Sequence, residues 1–413
     1  MNVLIVSLYF PPAGGPGVQR PLRLASHLGE LGFGVHVLAP DDPKWLYRDP
    51  SLRPPDGVVV HRARNLGPRA RAPAAELYGR RGLDRLRRRV SITLRALLVP
   101  DASVLWNVTA IPAAVRIVRR ERIDVVLTTS PPGSVHLVGA AVAARTGARW
   151  VADLRDALVG FAHRRREIRG ERTLARLVAR RADAVVAASE GVAESMRRLV
   201  PSLAVHVVEN GCDFDEFEGL AYRPGERFRI THTGTFLGRR SPRPFLEALA
   251  RVDGDVVARF VGGVPPRHRD WIEEAGLGER VELVPFVPRR RSLALQRDSE
   301  ALLLLVPEAE GRGRAVLTAK IFEYLAAERP ILAVVPPDGQ AAALVRELGA
   351  GVVVAPDDVD GIAAALSDLE RRWREGTLDG SPLAPEARAR LSRRARVEEL
   401  ARILRELPSA PRA

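Results

Sequence analysis

Residues 301–337, ALLLLVPEAEGRGRAVLTAKIFEYLAAERPILAVVPP, decide how the chain is read. The run 301–306 is wholly apolar, the mark of a strand buried on both faces of a parallel sheet. A loop rich in Glu, Gly and Arg follows. Thr318 is placed to cap a helix running to about Glu328. Pro330 precedes a second apolar run, 331–335, which ends at Pro336-Pro337-Asp338-Gly339, a turn signal. This order is a βαβ unit. Its first loop leaves a strand's carboxyl end and feeds a helix N-terminus, the place where open parallel sheets bind ligands.

Lys320 and Glu323 are three apart and share a face of that helix near the mouth of the loop. An exposed intrahelical ion pair is the plain reading of the spacing. Composition adds a second. Of 64 basic residues only Lys44 and Lys320 are lysine, so a compact ammonium beside a helix N-terminus stands out in a chain that otherwise writes arginine.

The 413 residues suffice for two or three domains with ample core. No run reaches the roughly 18 apolar residues of a membrane span. The opening MNVLIVSLYFPP lacks a basic leader and runs straight into a strand, so no signal peptide is expected. One cysteine, Cys212, excludes an internal disulfide and a thiolate cluster, and fits a reducing cytoplasm. A net charge of +14 favours anionic partners. Aromatic content of 5%, with no stacking stripe, argues against nucleic acid.

Towards the N-terminus, residues 2–9 read as a strand, PPAGGPG at 11–17 as a tight glycine loop, and the residues from Val18 as a helix. Backbone N–H groups and a helix dipole make such a loop either an anion site or simply a turn. The spacing is not the dinucleotide fingerprint GxGxxG. Residues 79–100 carry seven arginines among apolar positions. They read as an interfacial helix on anionic lipid or as a surface helix docked on its own domain. A second basic segment spans 163–181. Strands at 124–129 and 150–154 end in SPPG and in Asp153-Leu154-Arg155-Asp156, which puts carboxylates at a strand's carboxyl end. Past a joint near 219–227, strand, glycine-containing loop and helix recur, with Arg239 and Arg240 following the first strand. The pattern is α/β with two similar halves, domains at 1–218 and 225–382, and a C-terminal helical segment at 383–407 expected to pack back across the junction.

With these pieces assembled, the chain resembles the retaining glycosyltransferases of family 4, which have the GT-B fold of two facing Rossmann-like domains with parallel sheets and an interdomain cleft. The motifs that carry the resemblance are LIVSLYFPPAGGPGVQRPLRLASHL, PDASVLW, DVVLTTSPPGSVH, VADLRD, ADAVVAASE, VVENGCDFDEF, HTGTF and KIFEYLAAERPILAVVP, in that order. The resemblance implies transfer of a sugar from a nucleotide diphosphate sugar to a glycan or lipid-linked acceptor, with the donor held mainly by the second domain and the acceptor on the first. Glu323 matches the second glutamate of the family's pair, which holds the ribose. Arg240, with Arg239, matches the clamp on the diphosphate, and Lys320 a donor or phosphate contact. Gly15 and Gly17 match the glycine loop over the phosphates. Asp156 or Asp153 matches a polar group near the reacting sugar. The family's first glutamate falls on Ala315 here, and Glu308 or Glu310 is the candidate replacement. The resemblance implies same-face attack with the leaving phosphate taking the acceptor's proton, so no protein nucleophile is assigned.

No DxD-like pair stands at a suitable strand end, so no metal or other cofactor is expected. The resulting expectation is a cytoplasmic hexosyltransferase of cell-envelope polysaccharide synthesis, peripheral on the membrane through its basic segments. The competing readings are a nucleotide-sugar epimerase or phosphorylase of the same fold, and a degenerate protein that only binds nucleotide sugar or nucleic acid.

Overall fold

The computed structural model describes residues 1–41, 48–67, 98–160, 165–236, 241–308 and 313–408. Arg239, Arg240, Glu310 and most of the basic segment 79–100 lie outside these residues. The chain forms two compact units, Met1–Asn210 with Arg394–Ala413, and Gly211–Arg393.

The first unit holds strands β1 (Asn2–Val6), β2 (Gly34–Pro40), β3 (Val59–Ala63), β4 (Val125–Ser130), β5 (Arg149–Leu154), β6 (Ala184–Ala187) and β7 (Val205–Val207). They make one parallel sheet in the order β3-β2-β1-β4-β5-β6-β7. The second unit holds β8 (Phe228–Thr233), β9 (Val256–Val261), β10 (Val281–Val284), β11 (Ala301–Leu305), β12 (Ile331–Val334) and β13 (Gly351–Val354). Its parallel sheet runs β10-β9-β8-β11-β12-β13. Both orders reverse direction once, between β1 and β4 and between β8 and β11. Those are the switch points at which adjoining loops part and leave a crevice.

The apolar runs are continuous because helices cover both faces of each sheet. Ala301 and Leu303 enter one core cluster, and Leu302 and Leu304 another. In β1, Val3 and Ile5 face one cluster while Leu4 and Val6 face a second. A strand with only one covered face would have alternated polar and apolar residues.

The C-terminal segment is divided between the units. Leu383 and Leu391 pack into the second unit's core. Val397, Leu400, Ala401 and Leu404 of the helix Arg393–Glu406 pack beside Val3 and Ile5 in the first. The basic helix Arg165–Arg181 buries Leu174, Ala175 and Val178 in its own unit and leaves its arginines outside. It therefore offers a cationic face but no apolar face for lipid. Among the described residues no helix is long and apolar enough to cross a membrane.

His136 lies fully buried in the helix Val135–Thr146. Its Nδ1 is 2.8 Å from the Thr128 hydroxyl, which also accepts from Trp150 Nε1 at 2.8 Å. Burial drives its pKa from the usual value down to about 3, with Asp153 opposing and Arg155 assisting. The unfolded chain therefore takes up a proton near pH 6.5 that the folded chain refuses. This contribution to stability is present above pH 6.5 and is lost as pH falls towards 3, at roughly 1.4 kcal/mol per pH unit once the unfolded histidine is protonated. Urea midpoints at pH 7.5 and 5 should show that loss in the native protein and a flatter profile in His136→Gln. Equal slopes in the two proteins would refute the assignment.

Candidate functional site

In the second unit, among the described candidate residues, Lys320 and Glu323 lie beside the switch point. Gly234 follows β8 and Gly262 follows β9, both with positive φ, +129° and +130°. The register pairs Thr233 with Val261, so the two glycines lie side by side at the carboxyl edge. A Cβ on Gly262 would stand 2.7 Å from the Gly234 carbonyl oxygen, and backbone cannot yield there. A Cβ on Gly234 would stand 2.5 Å from Lys320 Cε and 2.6 Å from its Nζ. The ammonium thus reaches from the helix Ala319–Ala327 across to the end of β8, over a surface kept clear by glycine. It does not form the intrahelical pair with Glu323 that the spacing allowed.

Thr318 stands at that helix's N-cap position, but its side chain makes no capping bond. The helix ends at Ala327, with Glu328 in the left-handed conformation.

Glu323 points to other partners. Its Oε1 accepts from Arg289 Nη1 at 2.8 Å and its Oε2 from Gln296 Nε2 at 3.2 Å. Arg289 and Gln296 are seven apart on the helix Arg289–Arg297, on one face. Gln296 is fully buried and also donates to Thr233 Oγ1 at 3.2 Å. The buried Tyr324 hydroxyl accepts from the Thr233 N–H at 2.9 Å. Burial pushes that phenol's pKa up, so it stays neutral. The strand end at Thr233 and the carboxylate at Glu323 are therefore locked to each other. Glu308 is exposed just beyond β11, and Ala315 closes a 3-10 turn, Gly313–Ala315, ahead of Lys320.

In the first unit Gly15, at φ +92°, is the N-cap of the helix Pro16–Glu30. Gly17 lies against the Tyr9 ring, where a Cβ would come within 3.1 Å. Arg155 ties this loop to the one after β4, donating to the carbonyls of Gly17 (2.6 Å), Ser130 and Pro131 (3.2 Å).

The two candidate aspartates part company. Asp156 is exposed. Asp153 is fully buried, with Arg20 Nη2 at 2.6 Å and Thr129 Oγ1 at 2.7 Å. Burial alone would raise its pKa, and the Arg20 guanidinium overrides that, leaving it lowered and the carboxylate ionised. Arg20 also donates to the carbonyls of Val208 and Glu209 and to Asn210 Oδ1. Asp153 is thus the anchor of a buried clamp and has no surface open to a ligand.

The sequence reading missed Arg20, Glu216, Arg289, Gln296 and Tyr324. None of them carried a signal in the linear pattern: Arg20 stands two residues from both Val18 and Leu22, on the opposite side of the helix from them, and only the fold buries it.

Two family models match in series. The glycosyl transferase 4-like domain covers residues 14–211, and the glycosyl transferases group 1 domain covers residues 227–371. Together they span most of the chain. The chain belongs to the group 1 glycosyltransferases. No curated protein matches it in sequence.

Solved structures agree on the GT-B fold of this glycosyltransferase. Sucrose-phosphate synthase from Thermosynechococcus elongatus aligns over 98% of both chains with a TM-score of 0.68 and 16% identity. Anabaena Alr3699/HepE, in complex with UDP and glucose, aligns over 98% of this chain and all of its own, also at 0.68 and 16%. A glycosyltransferase from Rickettsia africae ESF-5 aligns over 98% of both chains, at 0.63 and 14%.

Proposed function

We propose that this glycosyltransferase moves a sugar from a nucleoside diphosphate sugar to a glycan or lipid-linked acceptor with retention of configuration, using no metal. One observation carries the donor assignment: Lys320 and Glu323 project from one helix at the second unit's switch point, the first over a glycine-cleared strand end and the second as a held carboxylate. A carboxylate there suits two vicinal hydroxyls, as on a ribose. An ammonium beside backbone N–H groups suits a diphosphate. Anabaena Alr3699/HepE in complex with UDP-glucose supports the same donor class.

Breaking the anomeric C–O bond builds negative charge on the departing diphosphate. Lys320, with Arg239 and Arg240, which follow β8 in the sequence, stabilises that charge as it forms, which makes a divalent cation dispensable. The leaving phosphate takes the acceptor's proton. Gly15, Gly17 and Asp156 are the proposed first-unit contacts to phosphate and sugar, and Glu308 or Glu310 the proposed contact at the donor sugar. The exposed arginines of the helix Arg165–Arg181 support a place at an anionic membrane surface on the cytoplasmic side, held by charge alone.

The test is a thermal-shift panel of UDP, GDP, dTDP and ADP sugars, followed by acceptor screening with the donor that binds. One donor should stabilise the protein by about 2.7 kcal/mol at a hundred times its dissociation constant. Its product should keep the donor's anomeric configuration, with the rate unchanged by EDTA. Binding of none of the four would overturn the donor assignment, and an inverted product would overturn retention.

A further inference from the structure

Arg289 forms the centre of an arrangement that the donor assignment alone does not require. Its Nη1 edge holds Glu323 Oε1 at 2.8 Å. Its Nε is 3.0 Å from each carboxylate oxygen of Glu216, and its Nη2 bonds Glu216 Oε2 as well. The three side chains are only 11%, 17% and 18% exposed for Arg289, Glu216 and Glu323. Burial works against the Arg289 charge, and Glu323 and Glu216 more than offset it, so its pKa is raised.

Glu216 is itself fixed. It belongs to the 3-10 turn Phe214–Phe217, whose two phenylalanines are buried. Arg290 donates to the carbonyls of Glu216 and Glu218, each at 3.1 Å, tying that turn to the helix that starts at Arg289. A guanidinium has five donors in a rigid fork and can serve two carboxylates at once, which an ammonium on a flexible stem does poorly. A carboxylate offers about four acceptor positions. Arg289 and Gln296 occupy one on each oxygen of Glu323, which leaves lone pairs for incoming hydroxyls.

We infer that Arg289, braced by Glu216, is the positioning residue that orients the Glu323 carboxylate and so sets affinity for the nucleoside part of the donor. The inference rests on Glu323 being a donor contact. Arg289 holds Glu323 in one rotamer before the donor arrives, so binding does not bear the cost of ordering that side chain. Contacts to the nucleoside are the same in the ground state and the transition state, so their loss raises KM and leaves kcat in place.

The experiment measures transfer kinetics, and UDP, GDP, dTDP and ADP binding, for the full chain and for Arg289→Ala, Arg289→Lys, Glu216→Gln and Glu323→Gln. Arg289→Ala should raise the donor KM and the nucleoside diphosphate Kd roughly tenfold, with kcat within about threefold and the acceptor KM unmoved. Glu216→Gln should give a smaller rise of the same kind, and Arg289→Lys should restore only part of the loss. Adding Arg289→Ala to Glu323→Gln should cost little further, because one interaction is removed twice. A donor KM within twofold of native in Arg289→Ala, or a fall confined to kcat, overturns the inference. If Arg289→Ala does not fold, unchanged donor KM in both Arg289→Lys and Glu216→Gln does the same. Native-like kinetics in Glu323→Gln, or no nucleotide binding by the native chain, would overturn the donor assignment itself and this inference with it.

Discussion

Glu323→Ala is expected to lower kcat/KM for the donor by about a hundredfold or more while the protein stays folded. The estimate follows from what the carboxylate is assigned to do. Two hydrogen bonds from donor hydroxyls to a charged acceptor contribute about 1.5–3 kcal/mol each, so losing both costs a factor of roughly a hundred to ten thousand. The fold should survive because Glu323 lies at the rim, 18% exposed, and Arg289 keeps Glu216 as its counter-charge. Far-UV circular dichroism and a urea midpoint would establish folding, and initial rates at several donor concentrations would give kcat/KM. A folded variant within threefold of native kcat/KM would remove Glu323 from the donor site.

Arg20→Ala is expected to cost about 3–5 kcal/mol of stability, because it strands an ionised carboxylate in the core. Asp153 is fully buried, and its only oppositely charged hydrogen-bond partner among the described residues is Arg20. The same change frees the carbonyls of Val208 and Glu209 and the Asn210 amide oxygen. Adding Asp153→Asn to Arg20→Ala should recover part of the loss by removing the stranded charge. Asp156→Ala, at an exposed position, should stay within about 0.5 kcal/mol of native. Urea titrations of the four proteins check this. A loss below about 1 kcal/mol in Arg20→Ala would contradict a buried, charge-dependent clamp.

Much of the molecule was legible as text. The run 301–306, the turn at 336–339 and the alternation of strands with helices required a doubly covered parallel sheet, and β11 and β12 fall there. Lys320 was conspicuous by composition. What could not be read was which charges meet. Arg20 and Asp153 are 133 residues apart, and Arg289 and Glu216 are 73 apart. In a chain with 64 basic residues, many pairings satisfy the same composition. The fate of Asp153 shows the consequence. A carboxylate near a strand's end reads as a site residue, and only Arg20 folding over it makes it part of the interior.

The chain's periodicity and turn residues by themselves determined two α/β units, their parallel sheets, and glycine loops at strand ends, because burial on both faces and backbone geometry are local demands. The tertiary structure decided that Lys320 leaves Glu323 and crosses to Gly234, that Glu323 is gripped by Arg289 and Gln296, and that the last helix packs on the first unit. Those outcomes depend on side chains from distant segments competing for a few partners in space, and linear order does not rank that competition.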